Sequence, residues 1–413
     1  MNSLLRINNT YIKKSFVIFL ALLLFISNDT YFFGTNSIEF LVSLPRYGAI
    51  FLIIWLFTKK TIASNTLSII ALILLILFYG FSCYVHSETI TITGIYLLYM
   101  VLAFFVAIKI PYKQFWATLD YFMYFLALFS LAVVFIAYTM PFLVRLFPVT
   151  INSEGIEIYN MLFCGIAKVE METKTIRVNS IFWEPGVYQV YLNLFIAYHL
   201  FIADVPNLKK VLIYSLCVLF TFSTAGYVVL IYSLFLFSIF TNNSFVKKYR
   251  PVILTFLAAI LILSTFSSLI IDKVFSKITE ENNYSAVARY SSILSNLYLA
   301  YENPLFGVGM GGMKDILGAK TVELFELYQD SNTNGVLYPL AAYGIPFGII
   351  YIFGLYRFAS LYATRRFTSL LFFIFIFLLF TGERLMSSLP YIMMFHGYLN
   401  VRNDEKNIVN KSR

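Results

Sequence analysis

The segment Arg177-Val-Asn-Ser-Ile-Phe-Trp-Glu-Pro-Gly186 places a guanidinium and a carboxylate at the edge of a long apolar stretch. A guanidinium presents a rigid fork of donors that matches phosphate oxygens. Pro185 suits the first turn of a helix, and Glu184 beside it meets the positive helix end. Glu184 is therefore open to two readings: part of a well-formed helix start, or a carboxylate held beside a cleft to orient or deprotonate a hydroxyl. Helical spacing from Glu184 aligns Tyr188 and Tyr191, with Gln189 and Asn193 nearby. Polar groups inside an apolar helix are costly unless they face protein or water, so this face is expected to line a hydrophilic cleft. Arg289 is a second arginine set among apolar neighbours. Arg384 follows Glu383, where a local ion pair is the simple reading; convergence of a third arginine on the other two would strengthen an anion site.

The run Asn303-Pro-Leu-Phe-Gly-Val-Gly-Met-Gly-Gly312 has the look of a nucleotide loop but lacks the preceding strand of a βαβ unit. It reads instead as a tight turn in which glycines allow close approach, with Gly307 and Gly309 able to offer N–H groups to an anion. Ser223-Thr-Ala-Gly226 reads as a tight helical hairpin or a point of close helix packing. The three histidines, His86, His199 and His396, avoid both long hydrophilic gaps, and no carboxylates cluster at metal-ligand spacing. That argues against a metal hydrolase and leaves no obvious histidine base, and no metal or other cofactor is expected. Cys83, Cys164 and Cys217 show neither metal spacing nor a disulfide framework.

These residues must be positioned by elements that suit a membrane. The chain is 60% hydrophobic and 12% charged, more apolar than any water-soluble domain needs. It reads as a single integral membrane domain over 1–413, an all-α polytopic membrane protein of about 12 spans. The expected spans are 13–33, 40–58, 66–84, 90–108, 119–140, 184–202, 210–222, 224–241, 251–271, 336–356, 367–381 and 387–399. Most of the 30 Lys and Arg fall in alternate gaps, the signature of cytoplasmic loops. Both termini are thus expected in the cytoplasm, and the gaps 143–183 and 272–335 on the outer side. The net charge of +9 follows from this topology and argues against nucleic acid as a partner. Arg6, Lys13 and Lys14 precede an apolar stretch read as the first span rather than a cleavable signal. Alternation around 170–182 predicts a short strand or hairpin, and 285–301 predicts an amphipathic helix along the outer interface.

Taken together, these features resemble the O-antigen polymerase and ligase superfamily, which includes the Wzy-type polymerases. The matching pieces are the R-x-x-G/S-x-F-x-E-P-G-like segment from Arg177 to Gly186, and Arg289 followed by the N-P-L-x-G-x-G-like run Asn303 to Gly309. Asn334 then precedes a span with the turn Tyr343-Gly-Ile345 and Gly348. The likeness covers roughly 175 to 350, and the N-terminal half only by hydropathy. It implies glycosyl transfer at the outer face of a bacterial cytoplasmic membrane, on oligosaccharide units carried by undecaprenyl pyrophosphate. A growing chain would leave its lipid pyrophosphate and join a sugar hydroxyl of the next unit, for O-antigen, capsule or exopolysaccharide.

On this reading Arg177, Glu184 and Arg289 are catalytic. Tyr188, Tyr191, Gly307, Gly309, Asn334 and Arg384 bind substrate. The partners are the lipid-linked oligosaccharide and membrane lipid, with a chain-length regulator left open. Ligases of the superfamily carry a His before the corresponding Asn; Thr333 stands here, which favours a polymerase. The rivals are that ligase and a lipid-linked oligosaccharide flippase. A flippase would place charged residues within its spans and Arg177 and Arg289 in a central cavity.

Overall fold

The computed structural model describes Thr30, Gly48, 65–110, 112–151, 155–173, 175–203, 207–240, 284–325, 328, 332–362, 366–385 and 389–399. The expected spans 13–33, 40–58 and 251–271 and both chain ends lie outside the described residues, apart from Thr30 and Gly48.

The described chain is mostly helical. Helices α1 (Thr66–Val85), α2 (Ile90–Lys109) and α3 (Tyr112–Thr139) come first, then a single turn at Pro141–Val144. Strands β1 (Val149–Ile151), β2 (Glu157–Asn160) and β3 (Gly165–Ala167) and a short α4 (Lys168–Thr173) follow. Next are α5 (Pro185–Ala197), α6 (Leu208–Phe220), α7 (Thr224–Phe240), α8 (Tyr284–Glu302) and α9 (Met313–Phe325). The last are α10 (Tyr338–Tyr343), α11 (Ile345–Ala359), α12 (Arg366–Thr381) and α13 (Leu389–Leu399). Three helical stretches, Thr66–Val85, Tyr112–Thr139 and Ile345–Tyr362, are long and apolar enough to cross a membrane; Thr93–Lys109, Thr224–Phe240 and Phe367–Thr381 are shorter apolar helices. Leu67, Ile70, Ile73, Leu77 and Phe81 of α1 are exposed, a face that water would not tolerate but lipid would. The chain is a membrane protein.

Helix α5 is the hub. All its residues from Pro185 to Ala197 are buried, and α6, α7, α12 and α3 pack around it. Its expected span continues as a π-helical turn, Tyr198–Ile202. There His199 Nε2 lies 2.8 Å from Asp120 Oδ1 of α3. Lys210 of α6 pairs with the other carboxylate oxygen. Tyr214 donates its O–H to Oδ1 at 2.7 Å. One buried carboxylate thus ties three elements together.

The expected span 336–356 is two helices. The chain breaks at Gly344, whose φ of 91° is open to glycine. A side chain there would collide with the Leu305 carbonyl, so the break is where the 303–309 turn docks. The first long loop also differs from expectation. Its sheet lies upstream of 170–182, with order β1-β2-β3, antiparallel throughout, registered Thr150↔Ile158 and Tyr159↔Ile166. Residues 168–173 are helical, and beyond them, among the described residues up to 183, only Phe182 makes a bridge, to Thr30. Alternation failed there because 175–183 is held by tertiary bonds: Val178 N–H reaches Phe220 O at 2.9 Å, and Gly165 N–H reaches Ser180 O at 2.9 Å. In the second long loop the helix expected at 285–301 is α8, within a residue at each end.

Candidate functional site

The site grows from α5. Phe182 lies flat against Tyr191, 4.6 Å between centroids at 26°, and against Tyr188, 5.4 Å at 22°. Both tyrosines are buried, so this face grips the incoming 177–184 segment. The polar residues lie on the neighbouring face: Gly186, Gln189 and Asn193 are spaced as i, i+3 and i+7 and are buried. Asn193 Nδ2 donates to Gln189 Oε1 at 3.0 Å and to Gly226 O at 3.2 Å. A side chain on Gly226 would crowd Gln189, Cβ to Cβ 3.0 Å. The 223–226 turn is therefore small in order to let α7 approach this face.

Arg289, on α8, reaches the same place from the opposite direction. Gly382 marks the meeting point: its Cβ position is 3.9 Å from Arg289 Nε, 3.8 Å from Gln189 Nε2 and 2.9 Å from Ala225 Cβ. Arg289 Nε and Gln189 Nε2 are both buried without a hydrogen-bond partner among the described residues. Two buried donors without a partner beside one glycine are a place where an acceptor such as an oxyanion would be satisfied. The next residue, Glu383, is buried and lays its carboxylate over the first turn of α5, where a side chain on Gly186 would collide with it. Glu184 is at the N-cap of the same helix, in extended conformation. Two carboxylates thus flank the positive end of α5.

Arg177 approaches from the far side of the 221–226 turn. Its Nε donates to Thr221 O at 3.1 Å and its N–H to Glu170 Oε2 at 3.2 Å. Burial pushes the Glu170 carboxyl up to about 7, against the opposing pull of Arg177's N–H and charge. Arg177 meets Thr221 and Arg289 lies beside Gly382, which itself packs on Ala225, four residues along from Thr221.

Arg384 turns away from this gap. Its guanidinium lies over the Tyr338 ring, 4.4 Å from the centroid, at the edge of a cavity of about 50 Å³ that Tyr96, Tyr99, Tyr351 and Tyr391 also wall. Asn334 adjoins it through Gly335. Its Oδ1 accepts from Val336 and Leu337 N–H at 3.0 and 2.8 Å, starting α10, while its buried Nδ2 has no partner among the described residues. The 332–334 segment is held by α8: Asn296 and Asn332 pair amide to amide, and Thr333 N–H donates to Ser292 Oγ at 3.2 Å.

Gly307 and Gly309 sit elsewhere, with φ of 66° and 78°. Their N–H groups donate to Asn303 O and Ala342 O, both at 3.0 Å, and His86 Nε2 meets Gly307 O at 3.0 Å. The glycine run docks the second long loop on α10 and on the turn after α1, with the Gly307 and Gly309 amides directed at protein carbonyls and the Gly311 amide at the Glu88 carboxylate, away from Arg289.

Sequence reasoning reached the arginines and Glu184 but missed Gly382, Glu383 and the tyrosine cavity. Their one signal was the Gly-Glu-Arg run between two apolar helices. Among the described residues no group of His, Cys, Asp or Glu could hold a metal ion, and the three cysteines are free and buried. No family model, no curated protein and no solved structure matches the chain.

Proposed function

We propose that this chain is a polymerase that joins oligosaccharide repeat units carried on undecaprenyl pyrophosphate, at the outer face of a bacterial cytoplasmic membrane. The observation that carries the reading is the meeting of Arg289 Nε and Gln189 Nε2 at Gly382, two unpartnered buried donors beside a buried carboxylate. Topology supports it: the alternating charge places the loops of Arg177 and Arg289 outside, with about 12 spans and both termini in the cytoplasm. Helix α8 fits an interfacial position. It buries Ser291, Ser292, Ser295 and Asn296 and exposes Tyr290, Leu297, Tyr298 and Tyr301, so its polar stripe faces the site and its aromatic stripe suits the headgroup boundary.

The chemistry then needs no nucleotide. The bond between the donor sugar's anomeric carbon and the diphosphate oxygen breaks, and its electron pair leaves with the lipid diphosphate. Arg289 and Arg177 stabilise that growing charge, which preorganised donors in a dry gap do strongly. The acceptor hydroxyl forms the new bond to the anomeric carbon and passes its proton to a carboxylate. Glu184 is the proposed base, and Glu383 lies over the same helical turn. Gln189 and Asn334 offer buried amides to the substrate.

Glycans of a deletion strain test the proposal. Surface glycan capped with single repeat units, restored to long chains by the wild-type gene, is the expected result. Units trapped on the cytoplasmic side would instead make the chain a flippase, and unattached long polymer would make it a ligase. Arg177→Lys should fail to restore long chains, because a lysine cannot reproduce the fork; normal chain length would leave only simple charge as its role.

A further inference from the structure

We infer that the tyrosine-walled cavity beside Arg384 is the subsite for an acidic sugar of the acceptor, one whose pyranose carries a carboxylate. This rests on the polymerase reading for the word acceptor, but the site itself stands on its own geometry.

The lining holds six tyrosines and one arginine and no acidic side chain. The tyrosines come from α2, α10, α11 and α13; Tyr338 and Tyr391 sit near the starts of their helices, which the charge pattern assigns to the outer side, and Tyr99 and Tyr351 sit midway along theirs. Aromatic rings take the C–H faces of pyranoses, and a small number of convergent polar groups fixes orientation in such pockets. At about 50 Å³ the cavity has room for one or two waters. That excludes a whole sugar from its interior and fits a carboxylate, with the pyranose ring at the mouth. The guanidinium is parked on the face of Tyr338, a contact worth only about 0.5–2 kcal/mol. An incoming carboxylate outcompetes it by charge-assisted pairing, and the freed Tyr338 face becomes a stacking platform. The position is right for an acceptor. Gly382 touches Arg289, Glu383 covers the start of α5, and Arg384 edges the cavity, so three successive residues connect the subsite to the proposed diphosphate gap and its carboxylates.

The test is saturation-transfer NMR on the full chain in lipid nanodiscs, with methyl β-glucuronide and methyl β-glucoside as probes. The expected result is a glucuronide signal well above that of the glucoside, reduced by salt. Arg384→Met should weaken glucuronide about tenfold and leave the glucoside unchanged. Tyr391→Leu should weaken both, which keeps the idea testable if Arg384→Met does not fold. Equal signals for the two probes, or a glucuronide preference that survives Arg384→Met, would overturn the subsite. A preference lost in Arg289→Met but kept in Arg384→Met would also overturn it, by moving the anion to the diphosphate gap. None of these measurements requires turnover. A protein that binds glucuronide through Arg384 yet supports no polymer would sink the polymerase reading alone.

Discussion

Replacing Arg289 by Met separates a substrate-binding arginine from a structural one. Arg289 Nε is buried with no partner among the described residues, and beside the same Gly382 lies Gln189 Nε2, another buried donor in the same condition. An unsatisfied buried donor costs about 1–3 kcal/mol. Met keeps most of the side-chain volume and removes that donor, so folding should be unaffected or gain on the order of 1 kcal/mol. Catalysis should move the other way. Each charge-assisted hydrogen bond is worth about 1.5–3 kcal/mol. If Arg289 makes two of them to the leaving diphosphate, their loss removes about 3–6 kcal/mol of transition-state stabilisation, at least a hundredfold in rate. The assay pairs thermal unfolding of the purified variant in detergent with the length distribution of surface glycan in a complemented deletion strain. The expected result is an unchanged or higher melting temperature with single repeat units only. A variant that melts well below wild type and still makes long polymer would refute the reasoning, because Arg289 would then be a structural tie.

Other outcomes follow from the same geometry. Gly186→Ala drives a methyl group into the Glu383 carboxylate and should cost about 1–3 kcal/mol; adding Glu383→Ala should recover much of that, and a strictly additive double mutant would place Glu383 elsewhere. Asp120→Leu strands Lys210, His199 and Tyr214 and should cost about 3–5 kcal/mol in melting experiments. Removing Lys210 as well should restore part of the loss, and a single variant as stable as wild type would dismiss the cluster. The Glu170 carboxyl, raised from 4.5 to about 7 by burial, binds its proton more tightly in the folded protein. Its contribution to stability is therefore complete below about pH 4.5 and is lost as pH rises towards 7. Wild type should lose more melting temperature than Glu170→Gln between pH 5 and 8, and parallel profiles would contradict the burial.

Much of the scaffold was legible because its signals are local. Pro185 stands at the start of α5 as its residue type suggests, and the apolar run from 66 is α1, with Asn65 taking the Ser68 N–H at 2.7 Å. The stripe along 285–301 became α8 because helical periodicity survives whatever the helix packs against. The side of a helix was less legible. Tyr188 and Tyr191 pack on Phe182 while Gln189 and Asn193 pack on Gly226, and in an apolar surrounding the pattern does not distinguish a face turned to lipid from one turned to protein. Alternation at 170–182 misled for a related reason, since Phe220 and Gly165 supply that segment's partners and no window of sequence contains them.

From residue types and order alone came the membrane character, the helix starts, and the two arginines and Glu184 as the charges available for diphosphate chemistry. Only the folded chain decided that Arg289 and Gln189 meet beside Gly382, that Glu383 covers the start of α5, and that Arg384 turns into a ring of tyrosines. The physical reason is distance along the chain. Hydrophobicity, capping and charge bias act within a few residues, whereas a site is made by packing that brings together segments more than a hundred positions apart.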